Sequence, residues 1–438
     1  MAEISNDYAL ERTPLEARKP MWDVFLVRFG AVATMSQFIL GATLGYGMTL
    51  KGALIATLLG SVLLEIVSFL IGVAGAKEGM STSLLTRWTG FGKVGSSLIS
   101  LIIAISCIGW FGIQNSVFAE GLIKAFGGNV SFKLMAFITG ISITLIVVFG
   151  YKMISWTAKI AVPGFLAAVA YATYKMLSEH SLSELLNSPP PGEHLSLGVA
   201  ITMVAGGFMV GAIVTPDLSR YNRNAKDVFW MTFLSIILGE IIINVVAVLM
   251  AHAVKSSDVV SIMFNLGGMF AALLVIFATI KINDLNLYAA SLGATNFLDA
   301  MFGIKANRGF LTIIIGVLGT LMSIMGILDN FVSFLVILGV AVPPVGGIII
   351  IDYFVLRRHR KALEDSLAVN KLPEKYEKVN PISLIAWGGG FLVGYFVKAG
   401  IPSLNSLIAS AILYYVLMKI YAAATNKKTV LFEEIETM

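Results

Sequence analysis

The sequence has little cysteine and little charge. Cys107 is the only cysteine among 438 residues, which excludes a disulfide framework and a metal cluster built on cysteine. Charged residues make up 13% of the chain, whereas 57% are hydrophobic and the mean hydropathy is +0.86. A soluble protein of this length needs more polar surface than these residues can supply. The composition therefore predicts a protein whose main partner is the lipid bilayer.

Apolar runs long enough to cross a membrane recur along the whole chain. A span needs about 20 apolar residues, and lipid offers no partner for unpaired backbone groups, so the spans are expected to be helical. The sequence thus predicts an all-α integral membrane protein with about twelve transmembrane helices, near 22–49, 53–76, 96–126, 132–150, 153–178, 196–216, 229–254, 262–296, 309–327, 330–356, 381–399 and 402–424.

Two of these runs, the first and the sixth, contain clustered glycines. They are Gly41, Gly45 and Gly47 in the first run and Gly206, Gly207 and Gly211 in the sixth. Glycine destabilises a helix, so this placement predicts two helices that unwind to expose backbone groups to a ligand. Such a pair, five spans apart, is typical of a transporter built from two inverted repeats, with its substrate near the bilayer midplane.

The chain is predicted to form one membrane domain between two short cytoplasmic segments. The N-terminal segment covers 1–21, the transmembrane domain 22–424 and the tail 425–438. A proline-containing loop separates the two repeats, at about 22–178 and 196–356, and 381–424 forms two extra helices.

Lysine and arginine predict the orientation. With both termini in the cytoplasm, the inner segments carry most of these residues, including the run Arg357, Arg358, Arg360 and Lys361. This is the positive-inside pattern. It predicts a multi-pass protein of the inner (cytoplasmic) membrane, and it explains the net charge of +5 without a nucleic-acid partner.

Trp110 and Gln114 are candidate binding residues in the third span. They lie four residues apart and therefore on one face of a helix. An indole and an amide that point the same way suit a flat heteroaromatic ligand, by stacking and by directional hydrogen bonds. The alternative is that Trp110 only packs and Gln114 bonds a neighbouring helix.

The eighth span contains a dense polar cluster, 281–286, that includes Lys281, Asn283 and Asp284. A lysine near the membrane centre must be paired, deprotonated or in contact with water. The alternative to a functional role is an internal salt bridge from Lys281. Its partners would be Asp284 or an acidic residue of another span, namely Glu65, Glu120 or Glu240.

Beyond these patterns, the sequence resembles the nucleobase:cation symporter family, and in particular its cytosine permease branch. The resemblance is collinear over nearly the whole chain. The motifs that carry it are Gly41-Ala42-Thr43-Leu44-Gly45, Gly109-Trp110-Phe111-Gly112, Gly207-Phe208, Arg220-Tyr221-Asn222-Arg223, Asn283-Asp284 and Pro343-Pro344-Val345-Gly346-Gly347.

The resemblance implies a leucine-transporter-like fold of two inverted five-helix repeats, with helices 1 and 6 broken, plus two extra helices. It also implies roles for individual residues. Trp110 and Phe208 would stack on the two faces of a nucleobase, Asn283 would read the ring edge, and the backbone at Gly207 would add a hydrogen bond. Gln37, near the break of the first span, is a further candidate, with a water-facing polar residue as the alternative.

Two positions depart from the family pattern. The cytosine branch tends to carry a glutamine three residues before the tryptophan, where this chain has Cys107, whereas Gln114 matches a binding glutamine of the hydantoin and uracil branches. Sodium-coupled members have two hydroxyl residues just before the eighth-span asparagine, where this chain has Lys281 and Ile282. An ammonium in the cation's place favours proton coupling over sodium, with Lys281 and Asp284 as a pseudo-cation site.

The sequence therefore predicts a secondary active transporter that imports a nucleobase or related heterocycle by alternating access. A cytosine-like pyrimidine is favoured; the alternatives are a hydantoin, allantoin or pyrimidine vitamin-precursor permease, or a facilitative uniporter. No catalytic residue, metal or cofactor is predicted, because an enzyme needs a convergent acid, base or metal set and the four histidines fall in loops or at span ends. A channel needs a continuous polar stripe, and the spans outside the third and eighth are nearly without polar faces. The oligomeric state is not predicted.

Overall fold

The structure is a computed structural model that describes residues 8, 11–32, 34–149, 151–425 and 434–436, without the side chains of 149, 151–163, 165, 270–277, 281 and 434–436. The helices of its first half are α1 (Met21–Val32), α2 (Met35–Gly47), α3 (Leu50–Glu78), α4 (Thr82–Trp88), α5 (Gly92–Gly95), α6 (Ser97–Ala125), α7 (Phe132–Phe149), α8 (Tyr151–Glu179) and α9 (Leu182–Asn187).

The second half contains eleven further α-helices. They are α10 (Leu197–Ile213), α11 (Pro216–Ser219), α12 (Ala225–Phe233), α13 (Gly239–Val254), α14 (Val259–Phe302), α15 (Arg308–Ile324), α16 (Phe331–Ala341), α17 (Pro343–Ile350), α18 (Arg360–Ala368), α19 (Pro381–Phe396) and α20 (Pro402–Ala424). Two 3₁₀ turns, Leu15–Ala17 and Leu328–Asn330, and two π-helical segments, Leu234–Leu238 and Ile351–Leu356, join them. Two short strands, β1 (Lys375–Glu377) and β2 (Glu434–Glu436), pair antiparallel with Lys375 opposite Glu436.

Each of the twelve predicted apolar runs contains helix. Within the described part of the chain, five helical segments are long and apolar enough to cross a membrane, and the bent pair α1–α2 makes a sixth. Five shorter apolar helices lie between them. In α14, Gly268 has a φ of 67°, a conformation that glycine adopts without steric cost, so this long helix is broken there. The prediction of an all-α membrane fold is confirmed.

The first span is broken, but not at its glycines. α1 ends at Val32, α2 begins at Met35, and the two axes differ by 52°. The glycine cluster lies within continuous helix, where a side chain on Gly41 would come within 2.9 Å of the Asn244 backbone and 2.7 Å of Ala247. The expectation that these glycines mark unwound backbone is therefore wrong. They permit close approach of α2 and α13, the common use of small residues in membranes.

The sixth span shows the same difference. α10 is helical through all three of its glycines and ends at Ile213, and a short turn leads to α11, which begins with Pro216. A Cβ on Gly206 would lie 2.0 Å from the Leu335 carbonyl oxygen. This glycine therefore serves the contact between α10 and α16.

Helix packing is reciprocal between the two halves. α2 of the first span packs on α13 of the seventh, and α10 of the sixth span packs on α3 of the second. Likewise α6 packs on α14 and α7 on α15. Two inverted five-span repeats produce this pairing. The first span of each repeat packs on the second span of the other repeat, so each contact occurs twice. α19 and α20 pack on each other and on α16 and α17.

Charged side chains collect at one end of the bundle, which we call the N-terminal face. Arg12, ahead of α1, binds Glu78 at the end of α3 with an N–O distance of 3.0 Å. Beside it, Arg358 binds both Asp352 and Glu377 at 2.6 Å. These pairs connect the N-terminal segment and the 357–380 connection to the ends of the spans.

Candidate functional site

A cavity of about 280 Å³ lies at the break of the first span. The ends of α1 and α2 that meet at the break form one side, and α6, α10 and α14 form the others. Its lining residues are Gly30, Ala31, Val32, Thr34, Met35, Ser36, Gln37, Leu40, Ser106, Cys107, Trp110, Gly207, Phe208, Val210, Gly211, Ala278, Ile282, Leu285 and Asn286. The lining is largely apolar with a few polar groups, as is usual for small-molecule sites.

Two aromatic side chains predicted as stacking partners, Trp110 and Phe208, line this cavity. Trp110 is held by edge-to-face contacts with Phe331 and Phe334, at centroid distances of 6.0 and 5.4 Å. Phe208 lies under the buried guanidinium of Arg28, 5.4 Å from its ring centroid. Each ring is therefore fixed from behind, which leaves its other surface for a ligand.

Space beside Phe208 depends on two neighbouring glycines. A Cβ on Gly211 would lie 2.6 Å from the Phe208 ring, so only glycine lets the ring fold against the helix here. Gly207, predicted to expose its backbone, also lines the cavity, and a Cβ there would meet only Leu40 within 4 Å, at 3.2 Å. The side of α10 that faces the cavity therefore has no side chain at Gly207 and Gly211.

The two predicted glutamines differ in position. Gln37 lines the cavity, and its Nε2 donates a hydrogen bond of 2.9 Å to Oδ1 of Asn244 on α13. Gln114 is fully buried outside the lining, and its Nε2 donates to Oγ of Ser36 at 2.6 Å. Its Oε1 has no hydrogen-bond partner among the described atoms. Gln114 therefore reaches the cavity through Ser36.

The residues of the polar cluster in the eighth span lie on different faces of α14, and only some of them face the cavity. Asn286 and Ile282 line the cavity, whereas Asn283 and Asp284 are buried outside the lining. In the orientation that pairs its amide, Asn283 donates to the Phe111 carbonyl at 3.3 Å and so contacts α6. The Lys281 side chain lies outside the described residues, so Asp284 is the one member of the predicted pseudo-cation site whose side chain the structure describes.

Asn286 is a functional candidate that the sequence reasoning did not single out. Its Nδ2 is buried without a hydrogen-bond partner in the described structure, and the residue faces the cavity. The sequence could have indicated this residue, because Asn286 is the last residue of the polar cluster 281–286 that also contains Asn283. Ser106 and Cys107, one turn before Trp110, were likewise visible as small residues on its helical face.

The residues that line the cavity suit ligand binding rather than catalysis. Two fixed rings, bare backbone and a few amides can hold a flat polar heterocycle. Across the described residues, no group of three or more His, Cys, Asp or Glu side chains could hold a metal ion.

Comparison with known proteins decides the class. Residues 14–418 match the model of a family described as permeases for cytosine/purines, uracil, thiamine and allantoin. The chain belongs to this permease family. It is a multi-pass membrane transporter and not an enzyme.

Similar proteins cover nearly the whole chain. The cytosine permease of Escherichia coli (strain K12) is 29% identical over 425 residues, which is 97% of this chain and 96% of that protein. The solved inward-facing conformation of Mhp1 is 20% identical and superposes with a TM-score of 0.79, over 94% of this chain and 93% of that one.

A second structure of Mhp1 provides a ligand for comparison. It is described as a nucleobase-cation-symport-1 family transporter in a closed conformation with bromovinylhydantoin bound. It is 21% identical, with a TM-score of 0.74 over 95% of this chain and 96% of that one. These likenesses give the permease the fold of Mhp1, in agreement with the leucine-transporter-like arrangement that the sequence implied.

Proposed function

We propose that this permease imports a nucleobase or a closely related flat heterocycle, with a cytosine-like pyrimidine favoured, by alternating access. The observation that carries this proposal is the cavity at the break of the first span. Its volume of about 280 Å³ suits a single-ring or fused-ring heterocycle. Likeness to a cytosine permease over nearly the whole chain supports the same substrate class.

In the proposed complex, Trp110 and Phe208 stack on the heterocycle, an interaction worth about 1–3 kcal/mol per base. Gln37, Asn286 and the backbone at Gly207 read the ring edge. Asn283, which the resemblance assigns to that edge, lies on the same helix against α6, so we assign its contribution to positioning α14. Gln114 positions Ser36.

We propose that protons rather than sodium drive the import. The two positions where sodium-coupled relatives have hydroxyl residues are Lys281 and Ile282, and the isoleucine supplies no oxygen ligand. In this proposal the ammonium of Lys281 occupies the cation's place beside Asp284. Its deprotonation would then allow the first and eighth spans to separate. The protein would act in the inner membrane, with both termini in the cytoplasm.

Uptake of labelled heterocycles by proteoliposomes tests the substrate class. The panel is cytosine, uracil, adenine, hypoxanthine, hydantoin and allantoin. We expect saturable uptake of at least one pyrimidine or purine base, and competition among the compounds that share its ring edge. Absence of uptake for the whole panel by folded protein would contradict the proposed substrate class.

Separately imposed gradients test the coupling. A pH gradient, acidic outside, should concentrate the substrate, whereas a sodium gradient at constant pH should not. A strong sodium requirement would overturn proton coupling. Uptake that ignores both gradients would identify a facilitative uniporter with Lys281 as a fixed charge.

A second candidate is a hydantoin, allantoin or pyrimidine vitamin-precursor permease. Two observations favour it: Mhp1 binds bromovinylhydantoin, and this chain has Cys107 where the cytosine branch tends to carry a glutamine. The same panel decides, since preference for hydantoin or allantoin over cytosine would select this candidate.

A further inference from the structure

A strip of polar side chains follows one face of α3, in the second span, inside the bundle. The expectation that the spans outside the third and eighth are nearly without polar faces is therefore wrong for this span. It consists of Thr57, Ser61, Glu65 and Ser68, whose spacing of four, four and three residues places them on one helical face. All four are buried, and Glu65 is the most exposed at 9%. Polar groups at this depth of a span are costly and commonly mark ion or proton pathways.

Other helices supply a partner for each member of the strip. The hydrogen bonds run from Asn244 Nδ2 to Thr57 Oγ1 (3.0 Å), from Ser61 Oγ to Glu240 Oε2 (2.5 Å), from Thr232 Oγ1 to Glu65 Oε1 (2.8 Å) and from Arg28 Nη2 to Ser68 Oγ (3.0 Å). The strip therefore joins α3 to α1 and to the whole seventh span.

A π-helical segment aligns the seventh span with this strip. Leu234–Leu238 lies between Thr232 and Glu240 and interrupts the regular α-helix. Single turns of π-helix are rare in proteins overall, but those that occur are often found at functional sites. Here the wider turn lets Thr232 and Glu240, eight residues apart, both bond to the same face of α3.

The described charges in this region do not balance. Arg28 and Glu65 interact electrostatically, so one cation faces one carboxylate. Glu240 is completely buried. Within the described structure its only hydrogen bond comes from Ser61, and its Oε1 has no partner. Burying an unpaired carboxylate costs far more than burying a carboxylic acid.

The surrounding elements offer Glu240 no second cation among the described side chains. α3 contributes Glu65 and α1 contributes Arg28, which already interact. α2 packs on this part of α13 through Gly41 and through Gln37, neither of which carries a charge. Among the described side chains, which do not include Lys281 of α14, no cation is left to balance a negative charge on Glu240.

We propose that Glu240 is a proton-binding site of the transport cycle, separate from Lys281. The carboxylate takes one proton from water at one membrane face, with Ser61 bound to Oε2 and Oε1 free to receive it, and releases it at the other face after the bundle rearranges. No other reactant is needed. This inference rests on the proposed function, since it supplies the proton coupling with a second group.

The strip also reaches the substrate cavity. Asn244 lies one turn after Glu240 on α13, and it accepts from Gln37, which lines the cavity, while donating to Thr57. A substrate that takes the Gln37 amide must disturb this chain of bonds one turn away from Glu240. Substrate binding and protonation of Glu240 are thereby linked, and by reciprocity each alters the affinity of the other.

The test compares Glu240→Gln, a neutral mimic of the protonated acid, with wild type in proteoliposomes. Glu184→Gln, on the exposed helix α9, is the matched control. With an inward pH gradient of one unit and one proton carried by each of Glu240 and Lys281, wild type and control should approach about hundredfold accumulation, because one unit is a tenfold proton ratio. Glu240→Gln should reach only about tenfold, yet exchange labelled for unlabelled substrate within about twofold of wild type.

An infrared measurement separates this inference from the proposed function. Wild-type spectra minus Glu240→Gln spectra should show the C=O band of a buried carboxylic acid, and the substrate identified by uptake should shift it. Full pH-driven accumulation by Glu240→Gln, or absence of the carboxylic acid band, would overturn the inference. If wild type accumulates substrate only with sodium, proton coupling fails, and the infrared band still decides whether Glu240 carries a proton.

Discussion

The buried carboxylates at the N-terminal face and those in the middle of the bundle differ in how they are paired with cations. At the face, Arg358 bonds Asp352 and Glu377, and Tyr414 donates to Asp352 at 2.6 Å. Burial lowers the pKa of the Arg358 guanidinium, but the nearby carboxylates of Asp352 and Glu377 outweigh it and raise that pKa overall.

In the middle, Glu240 is in no ion pair among the described residues, and several buried polar atoms there have no hydrogen-bond partner within the described structure. They are Oε1 of Gln114, Oε1 of Glu240, Oε2 of Glu65 and Nδ2 of Asn286. Buried polar groups in folded proteins are nearly always hydrogen-bonded, so each exception needs an explanation. We infer that the paired charges hold the ends of the spans together, and we propose that the groups without partners near the cavity serve the substrate and the proton.

The largest effect is expected from breaking the paired cluster. Arg358→Met leaves Asp352 and Glu377 buried without their cation, which should cost about 3–5 kcal/mol of folding free energy. Thermal unfolding of the purified protein in detergent measures this loss. Arg360→Met is the control, since its pair with Glu364 is partly exposed and should change stability by less than about 1 kcal/mol. Equal stability of the two variants would contradict a structural role for the cluster.

The next effect concerns the stacking platform. Trp110→Ala should weaken substrate binding by about 1–3 kcal/mol, since the base loses one aromatic face. Calorimetry on the folded variant measures it. Trp230→Ala is the control, because Trp230 is 41% exposed on α12 and should leave affinity unchanged. Unaltered affinity in Trp110→Ala would remove this residue from the site.

The sequence predicted the spans well because hydropathy reports directly on the bilayer. It misplaced the break of the first span, because a glycine that unwinds a helix and a glycine that lets two helices approach look alike in one sequence. Gly41 proved to be of the second kind, facing Asn244. Sequence reasoning placed Trp110, Gly207, Phe208 and Gln37, which all line the cavity.

Other residues depended on information that only the folded chain contains. Which amide of the eighth span faces the cavity depends on the rotation of α14, and this follows from packing on α6. Glu240 appeared in the sequence only as a possible partner of Lys281. Its contact with Ser61 requires the π-helical turn of the seventh span, for which the local sequence gives no signal.

A smaller effect separates two asparagines of α14. Asn286→Ala should weaken binding by about 1 kcal/mol, roughly fivefold, because a ring edge loses its partner in a closed pocket. Asn283→Ala should keep affinity within about twofold, since that side chain contacts α6. Binding of base analogues with altered ring edges measures both variants. A larger loss of affinity in Asn283→Ala than in Asn286→Ala would instead assign the hydrogen bond to the ring edge to Asn283.

The most direct test of the central claim uses the chain's own cysteine. Cys107 lines the cavity, one helical turn before Trp110. It is the only cysteine in the sequence. Alkylation by N-ethylmaleimide, followed by mass spectrometry, reports on access to the cavity, and denatured protein serves as the control for reagent chemistry. If the cavity is the substrate site, a saturating concentration of the transported compound should slow alkylation of the folded protein several-fold. An unchanged rate at that concentration would contradict the account.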